Sequence, residues 1–238
     1  AAAVWVPESP ERTPGRIGVG TALLLSAWLV ALLVAVSQGH HWGWSSGRVV
    51  GLFLAAAILL PAWVVAEARS RDPLVDMQMM RIPTVWTVNL VALLFGFAMY
   101  SMFAFLPQFL QTPEATGYGF GLSVSQSGLL LFPQTVASFV GGVLAGRLAA
   151  RVGSKALLVA GAAFIALGIF GLTFFHGALW MVVVESTMFG FAFGLAFAAM
   201  SNLVVDAVPQ SQTGVASGMN TNIRNVGGAI GSAVVASL

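Results

Sequence analysis

The sequence predicts an all-α, polytopic bundle of membrane-spanning helices. Three observations carry that expectation. Of 238 residues, 58% are apolar and only 8% are charged, against roughly 45–50% and about 25% in soluble domains. Uncharged runs close to the ~20 residues that cross a bilayer as helix recur along the chain. The few charges fall between those runs. A β-barrel would instead show ~10-residue segments of alternating polarity.

The runs come in order. The first is residues 17–37 and the second residues 49–66, joined by a short hairpin holding His40, His41, Trp42, Gly43 and Trp44. A polar stretch from residue 67 to 84 follows. Then come residues 85–107, 127–146, 156–175 and 178–205, the last interrupted only by Glu185. A seventh segment starts near Val215 and is strongly apolar from Val226. The expected organisation is a linker over 1–16, a helix pair over 17–66, a loop over 67–84 and a larger helical unit over 85–238.

The loops alternate in charge. Arg12, Arg16, Arg69, Arg71, Arg81, Arg147, Arg151 and Lys155 share one side, Arg48 sits on the other, and Arg224 lies in the seventh helix. Under the positive-inside rule the basic side is cytoplasmic, which puts the amino terminus inside. The plasma membrane is the expected location. Trp42, Trp44, Trp86 and Trp180 lie near span ends, where indoles favour the interface. The chain opens in an apolar tail and closes inside an apolar run, so we expect a piece of a longer protein.

Composition excludes several functions. With no cysteine there is no thiolate nucleophile and no cysteine metal site. A net charge of +2 gives no dense basic face for nucleic acid. No phosphate loop or Ser/His/Asp set is present, so no nucleotide-driven step is expected within this chain. His40 and His41 are adjacent rather than one helical turn apart and lack a nearby carboxylate, so no metal is expected.

Glycines four apart, Gly142/Gly146, Gly190/Gly194 and Gly227/Gly231, permit close helix approach, either as static packing or as a contact that repacks. Pro61, Pro107 and Pro133 can kink spans or free carbonyls. Pro133-Gln134 suits a polar cavity wall.

Glu185 is the acid inside a span, a position costing about 2.5–3.5 kcal/mol on insertion scales. It reads either as a proton or cation site or as a headgroup contact. Arg224 lies in a polar stripe with Asn220, Asn222 and Asn225. It either snorkels to the helix end or makes a polar contact between two halves. Asn89, Gly96, Tyr100, Phe103 and Pro107 share a face of the third span, and Gln126, Leu130, Gln134 and Ser138 a face of the fourth. Of these, Asn89, Tyr100, Phe103, Gln126 and Gln134 are candidates to line an aromatic-rich cavity suited to lipophilic cations. Ordinary helix packing is the competing reading for each.

Between the fourth and fifth spans the chain reads Gly146-Arg147-Leu148-Ala149-Ala150-Arg151-Val152-Gly153-Ser154-Lys155. It resembles the short cytoplasmic loop signature of the major facilitator superfamily, with Gly146, Arg151, Gly153 and Lys155 matching and Ala150 where an acid is often found. The loop reads as a headgroup anchor or as a conformational latch. Val6-Pro7-Glu8-Ser9, Trp42-Gly43-Trp44, Asp72-Pro73-Leu74-Val75-Asp76, Phe105-Leu106-Pro107-Gln108, Gly128-Leu129-Leu130-Leu131-Phe132-Pro133 and Arg224-Asn225-Val226-Gly227-Gly228 are similar, in order, to segments of its fourteen-span drug/proton antiporter branch, which performs multidrug efflux. The resemblance implies an extra central helix pair plus most of the carboxyl-terminal six-helix half, truncated before its last span.

It further implies a secondary active exporter of hydrophobic or cationic small molecules. Protons would be exchanged by alternating access, with the proton gradient as energy source and no cofactor. The implied partners are the small-molecule substrate, protons, the lipid bilayer and the missing amino-terminal six-span half. A uniporter, a differently coupled carrier, or a non-transporting sensor on the same fold is the alternative. A lipid-modifying membrane enzyme would need clustered acids, histidines or serines at one face, and none is evident.

Overall fold

The computed structural model describes residues 18–70, 73 and 75–237. Arg12, Arg16, Arg71, Asp72 and the Val6–Ser9 segment lie outside the described residues. Seven helices run in order: α1 Val19–Trp42, α2 Gly47–Arg69, α3 Pro83–Gln111, α4 Val124–Val152, α5 Ser154–Phe174, α6 Leu179–Asp206 and α7 Thr213–Ala236. No strand occurs among the described residues. Six of the helices, α1 to α6, are long and apolar enough to cross a membrane. α7 has 24 residues, but its first half is the polar stripe, so its length rather than its composition suits a span.

Large apolar side chains point outward, Ile58 at 70% exposure, Leu129 at 75% and Phe139 at 74%. In water such a surface would drive association; in lipid it is the ordinary outer face. α2, α3 and α4 outrun their apolar runs at both ends because backbone bonding continues past them. α1 takes in His40 and His41, and α4 continues through Arg147 and Arg151.

Local chemistry sets the boundaries. Pro83 starts α3 at a position where its missing N–H is not needed. Ser46 caps α2 by accepting from Val49 N at 3.3 Å. Ser123 and Gln126 form a reciprocal capping box on α4. Between α4 and α5 the expected nine-residue connection shrinks to one residue, Gly153. Its φ of +83° is open to glycine and strained for side chains. Gly146 is not a turn glycine: it sits within α4 and faces open space.

The most extensive packing joins α4 to α6 and α3 to α7, with α5 on α6, the α1–α2 hairpin closed on itself, and α1 touching α7. α4 thus packs on α6 as α7 packs on α3, the exchange expected of an inverted three-helix repeat. Both seams are made of glycine. A Cβ at Gly190 or Gly194 would strike the carbonyls of Gln134 and Ser138, and one at Gly227 or Gly231 those of Leu93 and Phe97. Gly96 and Gly141 meet the facing Arg224 and Phe191 carbonyls in the same way. The pair expected in α4 is therefore replaced: Gly141 makes the close contact, Gly142 is a looser neighbour and Gly146 none. Pro61, Pro107 and Pro133 all lie inside continuous helices.

Candidate transport site

Each sequence-predicted residue has a definite place, and several depart from expectation. Asn89 borders a space of ≈ 230 Å³ together with Trp63, Met80, Trp86 and Ile223, but its amide is already bonded. It is 1% exposed, its Oδ1 accepts from Asn220 Nδ2 at 2.9 Å, and its own Nδ2 donates to Met80 Sδ at 3.3 Å. A buried amide must find partners, and a second amide across the α3–α7 seam supplies one. Gln134 is also buried, at 6%, with its side chain against Gly190 in the α4–α6 seam. Gln126 is exposed and spent on the cap, its Oε1 accepting from Ser123 N at 2.9 Å. In this structure Asn89 and Gln134 are buried at helix seams and Gln126 caps α4.

Tyr100 and Phe103 remain at the surface of α3, 36% and 54% exposed, in a T-shaped pair with centroids 6.3 Å apart. The Tyr100 ring fills the space left by Gly228 of α7. They form an exposed aromatic face on α3.

Arg224 is the eleventh residue beyond Thr213, so it lies roughly 16 Å along α7 at 1.5 Å per residue. That is near the middle of this 24-residue helix, so it is not at a helix end. Its side chain is half-buried, and its guanidinium carbon sits 4.6 Å from the centroid of Phe197 on α6. Phe189, Phe193 and Phe197, four residues apart on α6, pack in series, the first pair edge-on at 4.6 Å and the second tilted at 5.8 Å between centroids. Phe95 of α3 meets Phe193 edge-on at 5.7 Å. The cation therefore rests on the end of an aromatic ladder, where a half-buried contact of this kind is worth about 0.5–2 kcal/mol. On the same helix Gly214, Gly218, Thr221 and Asn225 form an exposed small and polar stripe. The 189/193/197 spacing was readable in the sequence as a helical aromatic face; its meeting with Arg224 was not.

Glu185 faces α5. Its Oε1 lies where a Cβ on Gly171 would be 2.6 Å away, and its Oε2 is buried without a hydrogen-bond partner. It is not placed with Arg224, Tyr100 or Phe103.

Sequence reasoning passed over Glu67 by assigning it to a loop. It closes the last turn of α2, is 1% exposed, and its Oε1 accepts from Val75 N at 2.7 Å. Glu67 thereby ties the polar connection to the hairpin, while Asp76 accepts from Gln78 N and Met79 N and shapes the turn that follows. Trp63 lies one turn before Glu67 and meets Trp28 at 6.2 Å. Arg151 is in the last turn of α4 and Lys155 in the first of α5, at the bundle end that also carries Arg69 and Arg81. His176, Tyr118 and Trp180 mark the opposite end. Among the described residues no group of three or more metal-ligating side chains occurs.

Comparison with known proteins agrees with this architecture. The Major Facilitator Superfamily model matches residues 2–232. The chain is 29% identical to the multidrug resistance protein Stp of Mycobacterium tuberculosis, over 98% of this chain and 43% of that protein. It is 30% identical to the cephamycin export protein CmcT of Amycolatopsis lactamdurans, over 98% of this chain and 48% of that protein. With the tetracycline resistance determinant of Streptomyces rimosus it shares 27% identity, over 91% of this chain and 62% of that one. The chain thus spans about half the length of the curated relatives it matches, and those relatives bear the names of resistance and export proteins rather than of enzymes. With its helical bundle, paired glycine seams and family match over nearly its whole length, the chain belongs to the major facilitator superfamily.

Proposed function

We propose that this chain is part of a secondary active transporter that exports hydrophobic or cationic small molecules in exchange for protons by alternating access. The observation that carries the reading is Arg224. A cation midway along α7, held on an aromatic ladder and flanked by the exposed Thr221 and Asn225, is costly against lipid. It is favourable against a water-filled cavity or a partner half. Relatives named for multidrug resistance and cephamycin export support a small-molecule cargo.

In this reading the basic end faces the cytoplasm of a cell whose plasma membrane holds the protein. The amino-terminal half contributes the facing wall, and Tyr100 and Phe103 offer aromatic contact to the cargo. Arg224 makes the polar contact across the halves, and Gly153, with Arg151 and Lys155 beside it, is the tight joint at the inner end. Glu185 is the proton-binding group. The energy source is the proton gradient and no cofactor takes part.

The test is efflux of a lipophilic cationic dye from vesicles containing the complete protein. Efflux should stop when the proton gradient is collapsed, and Arg224→Met should lower it at least tenfold. Efflux that survives collapse removes the antiport assignment. Unchanged efflux in Arg224→Met removes the role given to that arginine.

A further inference from the structure

Glu185 presents a problem that helix packing does not solve. It sits six residues beyond Leu179, roughly 9 Å below the end of α6, yet it points into protein. The neighbouring wall of α5 is opened by Gly168 and Gly171, and a Cβ at Gly171 would press on Oε1 at 2.6 Å. One carboxyl oxygen, Oε2, is buried and unpartnered. Beside it lies a cavity of ≈ 10 Å³, lined by Glu185, Ser186, Gly168, Leu172, Met102 and Phe189. That is about the smallest space that holds one water, which needs polar partners. Ser186 supplies one, since its Oγ donates to Val183 O at 3.1 Å and keeps its lone pairs.

The cavity has a neighbour. Met102 and Leu172 also line a larger, more open space of ≈ 430 Å³ that reaches Tyr118 and His176 at the end of the bundle opposite the basic loops. His176 stands at that end, its Nδ1 3.0 Å from Leu172 O. α3 brings only Tyr100 as an ionisable group. The bases of α4 and α5, Arg147, Arg151 and Lys155, are at the far end, and Arg224 is midway along α7.

We infer that Glu185, Ser186 and one bridging water form a proton-holding site entered from the His176 end of the bundle, with Met102 and Leu172 as the constriction. A proton arriving through the larger space adds to Oε2, turning carboxylate into carboxyl, and the new O–H donates to the water that Ser186 also binds. Release is the reverse, with no other bond changed. The inference rests on the antiport reading for its use in transport, but not for the site itself.

Infrared difference spectroscopy of the complete protein in lipid vesicles, between acidic and neutral buffer, tests it. A carboxyl C=O band should rise on acidification, vanish in Glu185→Gln and shift in Ser186→Ala. It should rise more slowly in Leu172→Trp, which fills the constriction. A band that persists in Glu185→Gln overturns the site. One that is lost there but rises at the native rate in Leu172→Trp overturns the route. If Glu185→Gln does not fold, Glu185→Asp keeps the carboxyl and must shift the band; an unshifted band overturns the site. Loss of the site with gradient-driven efflux intact leaves the exporter reading standing, and the reverse result separates the two in the other direction.

Discussion

Gly194→Ala adds one methyl group to the seam between α4 and α6. The new Cβ would overlap the Ser138 carbonyl and stand 2.7 Å from Gly142 N and 2.9 Å from Ser138 C. All three are backbone atoms, so no side-chain rotation relieves the overlap. The Ser138 oxygen is nearer still, so reaching ordinary contact at ~3.5 Å asks the helices to part by more than about 1 Å, and a gap of even 0.5–1 Å forfeits roughly a quarter to a half of each dispersion contact it opens. Overpacking of this kind costs about 1–3 kcal/mol, or roughly 5- to 150-fold in the unfolding equilibrium at about 1.4 kcal/mol per decade. Gly146→Ala is the control, because nothing lies within 4 Å of its Cβ. Replacing a helical glycine there should stabilise by about 0.5–1 kcal/mol. Reversible unfolding of the two variants in mixed detergent–lipid micelles measures the difference. Equal stability for Gly194→Ala and Gly146→Ala would refute close backbone contact as the basis of the seam.

Other perturbations have equally definite outcomes. Asn89→Leu or Asn220→Leu strands a buried amide and should cost about 1–3 kcal/mol, while the double variant recovers part of it. A double-mutant cycle should return a coupling near 0.6 kcal/mol and no more than about 1.7, and a coupling of zero would deny the bridge. Glu67→Ala removes the acceptor of Val75 N, so amide exchange at Val75 should accelerate by an order of magnitude or more while α4 and α6 keep native protection. Gly153→Ala forces a side chain into a positive φ and should lower stability by about 1–2 kcal/mol, seen as an earlier thermal transition.

Class and order of helices were legible because lipid imposes one strong rule: long apolar runs must be helices. Side-chain roles were less legible, for reasons specific to each residue. Asn89 borders a cavity as expected, but the amide that bonds it is 131 positions away, and no local pattern names that partner. Gln126 follows Ser123 at the capping-box spacing, so the sequence carries its capping role as well as its place on a polar face. Glu67 seemed to lie in a loop because its neighbours Arg69 and Arg71 are charged, although α2 runs on to Arg69. Glycine spacing found the right seams on α6 and α7. On α4 it chose the wrong pair, because a four-residue repeat does not say which side of the helix is covered.

The long separation between Asn89 and Asn220 has a consequence for how the chain is made. At ~5–20 residues per second, the 131 residues between them take roughly 7–26 s to synthesise. During that interval α3 is already in the bilayer with its amide and its Gly96 notch uncovered. A translocating ribosome therefore leaves a polar scar facing lipid until α7 arrives. Quality-control factors that recognise unpaired polar groups within membranes have that window, and that helix face, on which to act.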